Sequence, residues 1–139
     1  YTDAFAILRP TSPFRTPETI QRAWRQFQAD QPCDSLRAVQ PVREHPYKMW
    51  RLNGDGTIAP ILIQSVRGVP AHSCPTHTLP LTYVQNASLE IAWTRVVKDT
   101  GTISGTRIRP FFTDGLEGFD INTEDDWGEA ERLISLTHA

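Results

Sequence analysis

The sequence predicts an α/β layered fold, a doubly wound sheet of Rossmann-like type with helices on its faces. Three observations carry this. A short apolar run (DAFAIL) opens the chain, an amphipathic helical pattern follows, and a second apolar run comes after it, giving strand, helix, strand. A second amphipathic segment closes the chain. In such sheets the ligand sites lie at the carboxyl ends of strands, which singles out the stretch after Leu8 and the stretch around Asp120.

Asp3 to Leu8 reads as a buried strand closed by Arg9-Pro10, and Thr11-Ser12-Pro13 as a turn. Thr16 then caps a helix, with Pro17 suited to its first position and Glu18 to its positive end. Ile20, Ala23, Trp24 and Phe27 share one apolar face, and the helix ends near Ala29. Ser35 to Val42 is a second strand, with Pro41 marking an edge or an end. Tyr47 to Leu52 is a third, Asn53-Gly54-Asp55-Gly56 a hairpin turn, and Thr57 to Ile63 the return strand. Ser65 to Pro80, broken by Pro70 and Pro75, is an irregular excursion of the kind that packs on a partner. Leu81 to Trp93 regains strand character. Thr94 to Gly105 reads as a helical turn and a Gly-rich loop, and Arg107 to Thr113 as a strand. Thr123 caps the last helix, whose first turn holds Glu124, Asp125 and Asp126 and whose buried face is Trp127, Ala130, Leu133 and Ile134.

The chain has 139 residues, the size of a single domain at roughly 150 residues each. Fourteen basic and 16 acidic residues leave a net charge of -2, so nothing draws it to nucleic acid or an anionic membrane. No apolar run approaches the ~18 residues of a membrane span. Two cysteines make no disulfide framework, and a reducing cytoplasm is the expected compartment. The chain begins at Tyr1 without Met and reads like a piece of a longer protein.

Several constellations hold candidate chemistry. Arg9 to Arg15 (RPTSPFR) puts hydroxyls and arginines where a first strand ends, fit either for a polar ligand or for a Pro-bounded turn. Asp120 and Asn122 lie two apart, so in extended chain a carboxylate and an amide oxygen face one spot suited to Mg²⁺; the alternative is a plain helix cap. Lys48, after His45-Pro46-Tyr47, is a strand-start cation or an ordinary surface lysine. His72, Cys74 and His77 fall short of a zinc ligand set. There is no GxGxxG and no GxxxxGK[ST] phosphate loop.

In order, PTSPFRT, the TPETI helix, HPYK, the QNAS strand and FDINTEDDW resemble the acylneuraminate cytidylyltransferases, the CMP-sialic acid synthetase family, in their C-terminal portion, from Ala4 to Leu136. The resemblance implies a fold of nucleotide-diphospho-sugar transferase type, a homodimer with a protruding dimerisation segment at about residues 65–80, Mg²⁺ as cofactor, and transfer of CMP from CTP to a sialic-acid-like sugar acid. It implies substrate contacts at Arg9 (a glutamine in the family), Thr11, Ser12, Lys48, Gln85 and Asn86, and metal ligation at Asp120 and Asn122 (an aspartate in the family). Thr76 and Val84 stand where arginines should read the sugar carboxylate, and Glu90 where the family has a tyrosine. The family's N-terminal strand and nucleotide-binding loop have no counterpart in these residues, so the chain alone is expected to be inactive. The alternative is a non-catalytic sugar-binding or interaction module on the same fold.

Overall fold

The structure is a computed structural model, and it describes residues 3–137. In chain order the elements are β1 (Ala4–Ile7), α1 (Pro17–Ala29), β2 (Ser35–Pro41), β3 (Trp50–Leu52), β4 (Ile58–Pro60), β5 (Ser65–Val66), β6 (Val69–Pro70), β7 (Tyr83–Trp93), α2 (Thr94–Thr100), β8 (Ile108–Phe112) and α3 (Glu124–Thr137). Short 3-10 turns lie at Pro46–Lys48, Ala71–Ser73 and Thr76–Thr78. The chain divides into two compact units, Tyr1–Gln40 with Gln85–Ala139, and Pro41–Val84.

The first unit is built on a four-stranded sheet of order β1-β7-β2-β8. β1 runs antiparallel to β7, with Ile7 opposite Glu90. β2 runs parallel to β8, with Ala38 opposite Phe111. Between them, Trp93 N–H donates to Asp34 C=O, Arg37 meets Glu90, and Gln40 meets Asn86, the falling register of an antiparallel pair. The sheet is therefore mixed, and the fold is α/β as the sequence predicts. Ala23 and Phe27 of α1 pack on Leu36 and Ala38 of β2, Leu89 and Ile91 of β7, and Phe111 of β8. Alternate residues in each strand make this one face of the pleat. The other face carries Arg37 and Glu90.

Helix α1 begins where the sequence places it. Thr16 Oγ1 accepts from Thr19 N–H, and Thr19 Oγ1 accepts from Thr16 N–H, a reciprocal box with Pro17 behind it. Trp24, expected on the buried face, is half-exposed and sets its ring edge against Trp93. Helix α3 is capped by the same device, with Thr123 Oγ1 accepting from Asp126 N–H and Asp126 Oδ2 accepting from Thr123 N–H. Its buried face is narrower than predicted. Ala130 is buried, but Trp127 is 55% exposed and Ile134 40%. Amphipathic spacing fixes which side of a helix is apolar; it does not supply a surface to cover that side.

In the second unit Ala71, Cys74 and Leu79 form a small core, with Tyr47 and Val66 against it. β3 and β4 pair through the expected turn, closed by Asn53 N–H to Thr57 C=O at 2.8 Å with Gly56 at φ 83°. Both strands are shorter than predicted. Pro46 opens a 3-10 turn capped by His45 Nδ1, which consumes Tyr47 and Lys48. At the other end Pro60 has no N–H for the ladder. Inside the excursion, Arg67 and Gly68 both take positive φ and close the β5–β6 hairpin. An arginine at a left-handed position carries no turn signal in the sequence.

Candidate functional site

The loop after β1 is held by its own arginine. Arg9 C=O accepts from Ser12 N–H at 3.3 Å and from Arg15 Nη1 at 3.1 Å, and Arg15 Nη1 also reaches Ser88 C=O on β7. Burial draws the Arg15 guanidinium below its ordinary value. Ser12 is buried, and its Oγ has no hydrogen-bond partner among the described residues. Thr11 presents its backbone inward, accepting from Ile121 N–H at 2.9 Å, and Phe14 meets Phe119 edge-on at 5.4 Å. The two segments singled out in the sequence, Arg9 to Arg15 and Phe119 to Thr123, are thus brought together.

Asn86 is buried beside them. Its Nδ2 donates to Gln40 Oε1 at 3.2 Å and to Thr113 Oγ1 at 2.9 Å, and its Oδ1 accepts from Ser88 N–H at 3.1 Å. The side chain ties β2, β7 and β8 together at one end of the sheet. Gly118 closes over this knot. A Cβ there would stand 2.2 Å from Gln40 Oε1 and 2.6 Å from Asn86 Nδ2, so a larger residue would push the hydrogen-bonded ends of those side chains aside. The loop carrying Gly118 is pinned by Glu117, which accepts from Thr19 Oγ1 at 2.7 Å, from Arg22 and from Asp114 N–H at 2.8 Å. Burial alone would raise the Glu117 carboxyl; the Asp114, Thr19 and Arg22 hydrogen bonds outweigh it and hold it below the usual glutamate value.

Asp120 has Oδ2 accepting from Asn122 Nδ2 at 3.1 Å, while Oδ1 is buried without a hydrogen-bond partner. An unsatisfied buried carboxylate oxygen costs free energy unless a cation or donor meets it. Rotating the Asn122 amide, which exchanges its oxygen and nitrogen, would give two oxygen donors on one spot. That donor chemistry fits a hard cation such as Mg²⁺, which binds one or two protein oxygens and takes its other ligands from water and phosphates. Among the described residues no group of three His, Cys, Asp or Glu side chains gathers to hold a metal. Asp126 lies below the usual aspartate value because Asn122 N–H, Thr123 Oγ1 and Thr123 N–H all donate to it.

Gln85 joins a cluster that the residue-by-residue reading did not assemble. Its Oε1 accepts from Arg37 Nη1 at 3.3 Å, and its Nε2 donates to Glu90 Oε1 at 3.4 Å. Glu90 pairs with Arg37 at 2.8 Å and Arg9 at 3.4 Å. The signal for this cluster was a lone arginine and a lone glutamate inside otherwise apolar strands, SLRAV and SLEIAW. Lys48 lies in the second unit, where its Nζ donates to His72 C=O at 3.3 Å. His45 there is buried, accepting at Nδ1 from Tyr47 N–H and meeting Pro80 C=O and Thr82 Oγ1 at Nε2.

No protein-family model matches the chain. Over 138 residues, 98% of its length, the chain is 27% identical to CMP-N,N'-diacetyllegionaminic acid synthase of Legionella pneumophila. The match takes in 56% of that protein, so the chain spans a little over half the length of the relative. The likeness is distant, and it bears out the resemblance to CMP-sialic-acid-synthase-like proteins.

Proposed function

We propose that this chain is the sugar-binding and subunit-pairing part of a cytidylyltransferase-like enzyme that transfers CMP from CTP to a sialic-acid-like sugar acid. The reading is supported most by the meeting of the Arg9–Arg15 loop with the Phe119–Thr123 segment through Thr11 C=O, Ile121 N–H and the Phe14–Phe119 contact. Those are the two most specific stretches of the family resemblance. In this reading the mixed sheet is part of a larger doubly wound sheet.

In the reaction, a sugar hydroxyl oxygen bonds to the α-phosphorus of CTP. The bond from that phosphorus to the bridging oxygen breaks, pyrophosphate leaves, and the hydroxyl proton passes to solvent. Catalysis of this kind is positioning plus neutralisation of phosphate charge. Mg²⁺, held by Asp120 and Asn122, would supply the charge neutralisation. Arg9, Thr11 and Ser12 would face the sugar from the loop after β1. Asn86 and Gln85 act through what they hold in place, Asn86 by fixing the strand ends and Gln85 by orienting Arg37. Lys48, from the Pro41–Val84 unit, would contact substrate in the partner subunit's site, as the family resemblance implies. That unit also holds the segment at about residues 65–80 proposed for the homodimer, where Val69 is exposed, and exposed Ile63 and Leu81 flank it. Cys33 and Cys74 are both free and buried, in keeping with a cytoplasmic protein, and burial pushes the Cys33 thiol up, away from reactivity.

One observation favours the second reading, a sugar-binding module without catalysis: at position 122 a neutral amide side chain, not a second carboxylate, stands beside Asp120. Calorimetry of the chain with N-acetylneuraminate and with N,N'-diacetyllegionaminate tests both. Saturable binding of either sugar acid is expected. Failure to bind any acid of this class would sink the reading. CMP-sugar formation by these residues alone would overturn the assignment as one part of the enzyme.

A further inference from the structure

A buried imidazole in the Pro41–Val84 unit fixes how Lys48 is presented. His45 is 5% exposed. Its Nδ1 accepts from Tyr47 N–H at 3.2 Å, and its Nε2 lies 3.1 Å from both Pro80 C=O and Thr82 Oγ1. A backbone N–H can only donate and a carbonyl can only accept, so Nδ1 is bare and Nε2 carries the hydrogen. Thr82 agrees with this. Its hydroxyl donates to Pro80 C=O at 2.9 Å, which leaves a lone pair for Nε2–H. Three partners thus select one neutral tautomer. The two nitrogens hold different pieces of chain. Nδ1 caps the 3-10 turn Pro46–Lys48, in which Lys48 N–H donates to His45 C=O at 2.8 Å. Nε2 holds the end of the 65–80 excursion at Pro80. The turn meets that excursion twice more. Tyr47 packs on Ala71, Cys74 and Leu79, and Lys48 Nζ donates to His72 C=O at 3.3 Å.

We infer that His45 is a positioning residue: as the Nε2–H tautomer it locks the turn bearing Lys48 to the 65–80 excursion. The lysine and the proposed subunit-pairing segment then move as one piece. This inference rests on the function proposed above, in which Lys48 serves the partner subunit's site and the excursion makes the subunit contact. A lysine ammonium is a point charge on a flexible four-carbon stem. A single 3.3 Å contact to a carbonyl does not hold it in place, so the backbone beneath it has to be fixed. Fixing that backbone to the pairing segment before subunits meet removes an ordering cost from the encounter.

The test is NMR of the chain, labelled with ¹⁵N and with ¹³C at lysine Cε. In the native chain His45 should show a pyrrole-type Nε2 and a pyridine-type Nδ1; the opposite tautomer would overturn the inference. The chain has two lysines, so Lys98 on α2 serves as internal reference. His45→Phe keeps a ring against Tyr47, whose centroid lies 5.0 Å away, and removes both nitrogens. It should speed hydrogen exchange of the Tyr47 amide about tenfold and shift the Lys48 Cε signal, with Lys98 unmoved. His45→Asn returns an acceptor for Tyr47 N–H and should restore most of that protection. A His45 that only fills space gives the reverse pattern: Phe leaves Tyr47 and Lys48 in place and Asn disturbs them. That pattern would remove the lock. If His45→Phe does not fold, the native tautomer and His45→Asn decide. Sugar and nucleotide take no part in these signals. Failure of the chain to bind N-acetylneuraminate would therefore count against the proposed function and leave the lock standing. An unmoved Lys48 signal in folded His45→Phe would count against the lock even if the sugar acid binds.

Discussion

Arg9 and Glu90 are two positions where the sequence departs from the family it resembles, and in the structure they touch. The resemblance implies a glutamine and a tyrosine at these places, and here they hold an ion pair. Glu90 is matched by Arg37 at 2.8 Å even without Arg9, and the half-exposed Arg9 adds a second, longer contact. Together with Arg37 they make a coherent cluster. Chain order alone does not reveal this contact, because Arg9 lies in the loop after β1 and Glu90 on β7. Asp120 is the other informative residue. Its Oδ1 is buried without a hydrogen-bond partner, so removing the carboxylate relieves a cost instead of breaking a network. Asp120→Ala should keep or raise the thermal midpoint while removing Mg²⁺-dependent turnover in the active protein. Mn²⁺ should broaden amide signals of residues 119–123 in the native chain and not in the variant. Loss of folding would instead make Asp120 structural. Gly118→Ala tests the knot around Asn86: its Cβ overlaps Gln40 Oε1, so destabilisation by about 1–3 kcal/mol is expected by chemical denaturation. Gly54→Ala, with nothing within 4 Å, should be near neutral by the same measurement.

At the level of elements, the parts with strong local chemistry were legible and the parts set by tertiary contact were not. The bounds of α1 follow from Thr16, Pro17 and the apolar spacing, and Thr16→Ala should cost about 1 kcal/mol of stability in thermal melts. The β3–β4 turn follows from Asn-Gly and Asp-Gly. The narrow burial of α3 and the Arg67-Gly68 hairpin were not legible, because neither depends on a local residue preference. The Glu117 network was hidden for the same reason: Thr19, Arg22, Asp114 and Glu117 converge only once α1 lies beside the loop after β8. Its carboxyl is held below the usual glutamate value, so the folded state binds fewer protons there than the unfolded chain. That stability is present above the unfolded pKa near ~4.3 and is lost as pH falls through the folded value. Glu117→Gln should therefore lower stability at neutral pH and flatten the acid limb of the stability profile below about pH 5. An unchanged acid limb would show that Glu117 does not anchor the loop.

For the molecule as a whole, the sequence conveyed the α/β class and the neighbourhood of the candidate site, because strand–helix alternation and turn residues are local signals. Its strand order, β1-β7-β2-β8, was beyond reach, since β7 inserts between β1 and β2 from far along the chain. The Pro41–Val84 unit has a small core and leaves Leu52, Ile58, Ile63 and Leu81 exposed, an arrangement suited to a second copy. Light scattering should give a dimer, and Ile63→Lys should shift it towards monomer without lowering the helical signal; a monomer at all accessible concentrations would remove the subunit-pairing role. The proposed function makes these residues the sugar-acid half of a cytidylyltransferase-like site. Calorimetric titration of the chain with N-acetylneuraminate and its methyl ester tests it most directly. Saturable binding of the acid, weakened about tenfold in the ester and in Arg9→Gln, is the predicted result. No binding of the acid, or equal binding of acid and ester, would contradict it.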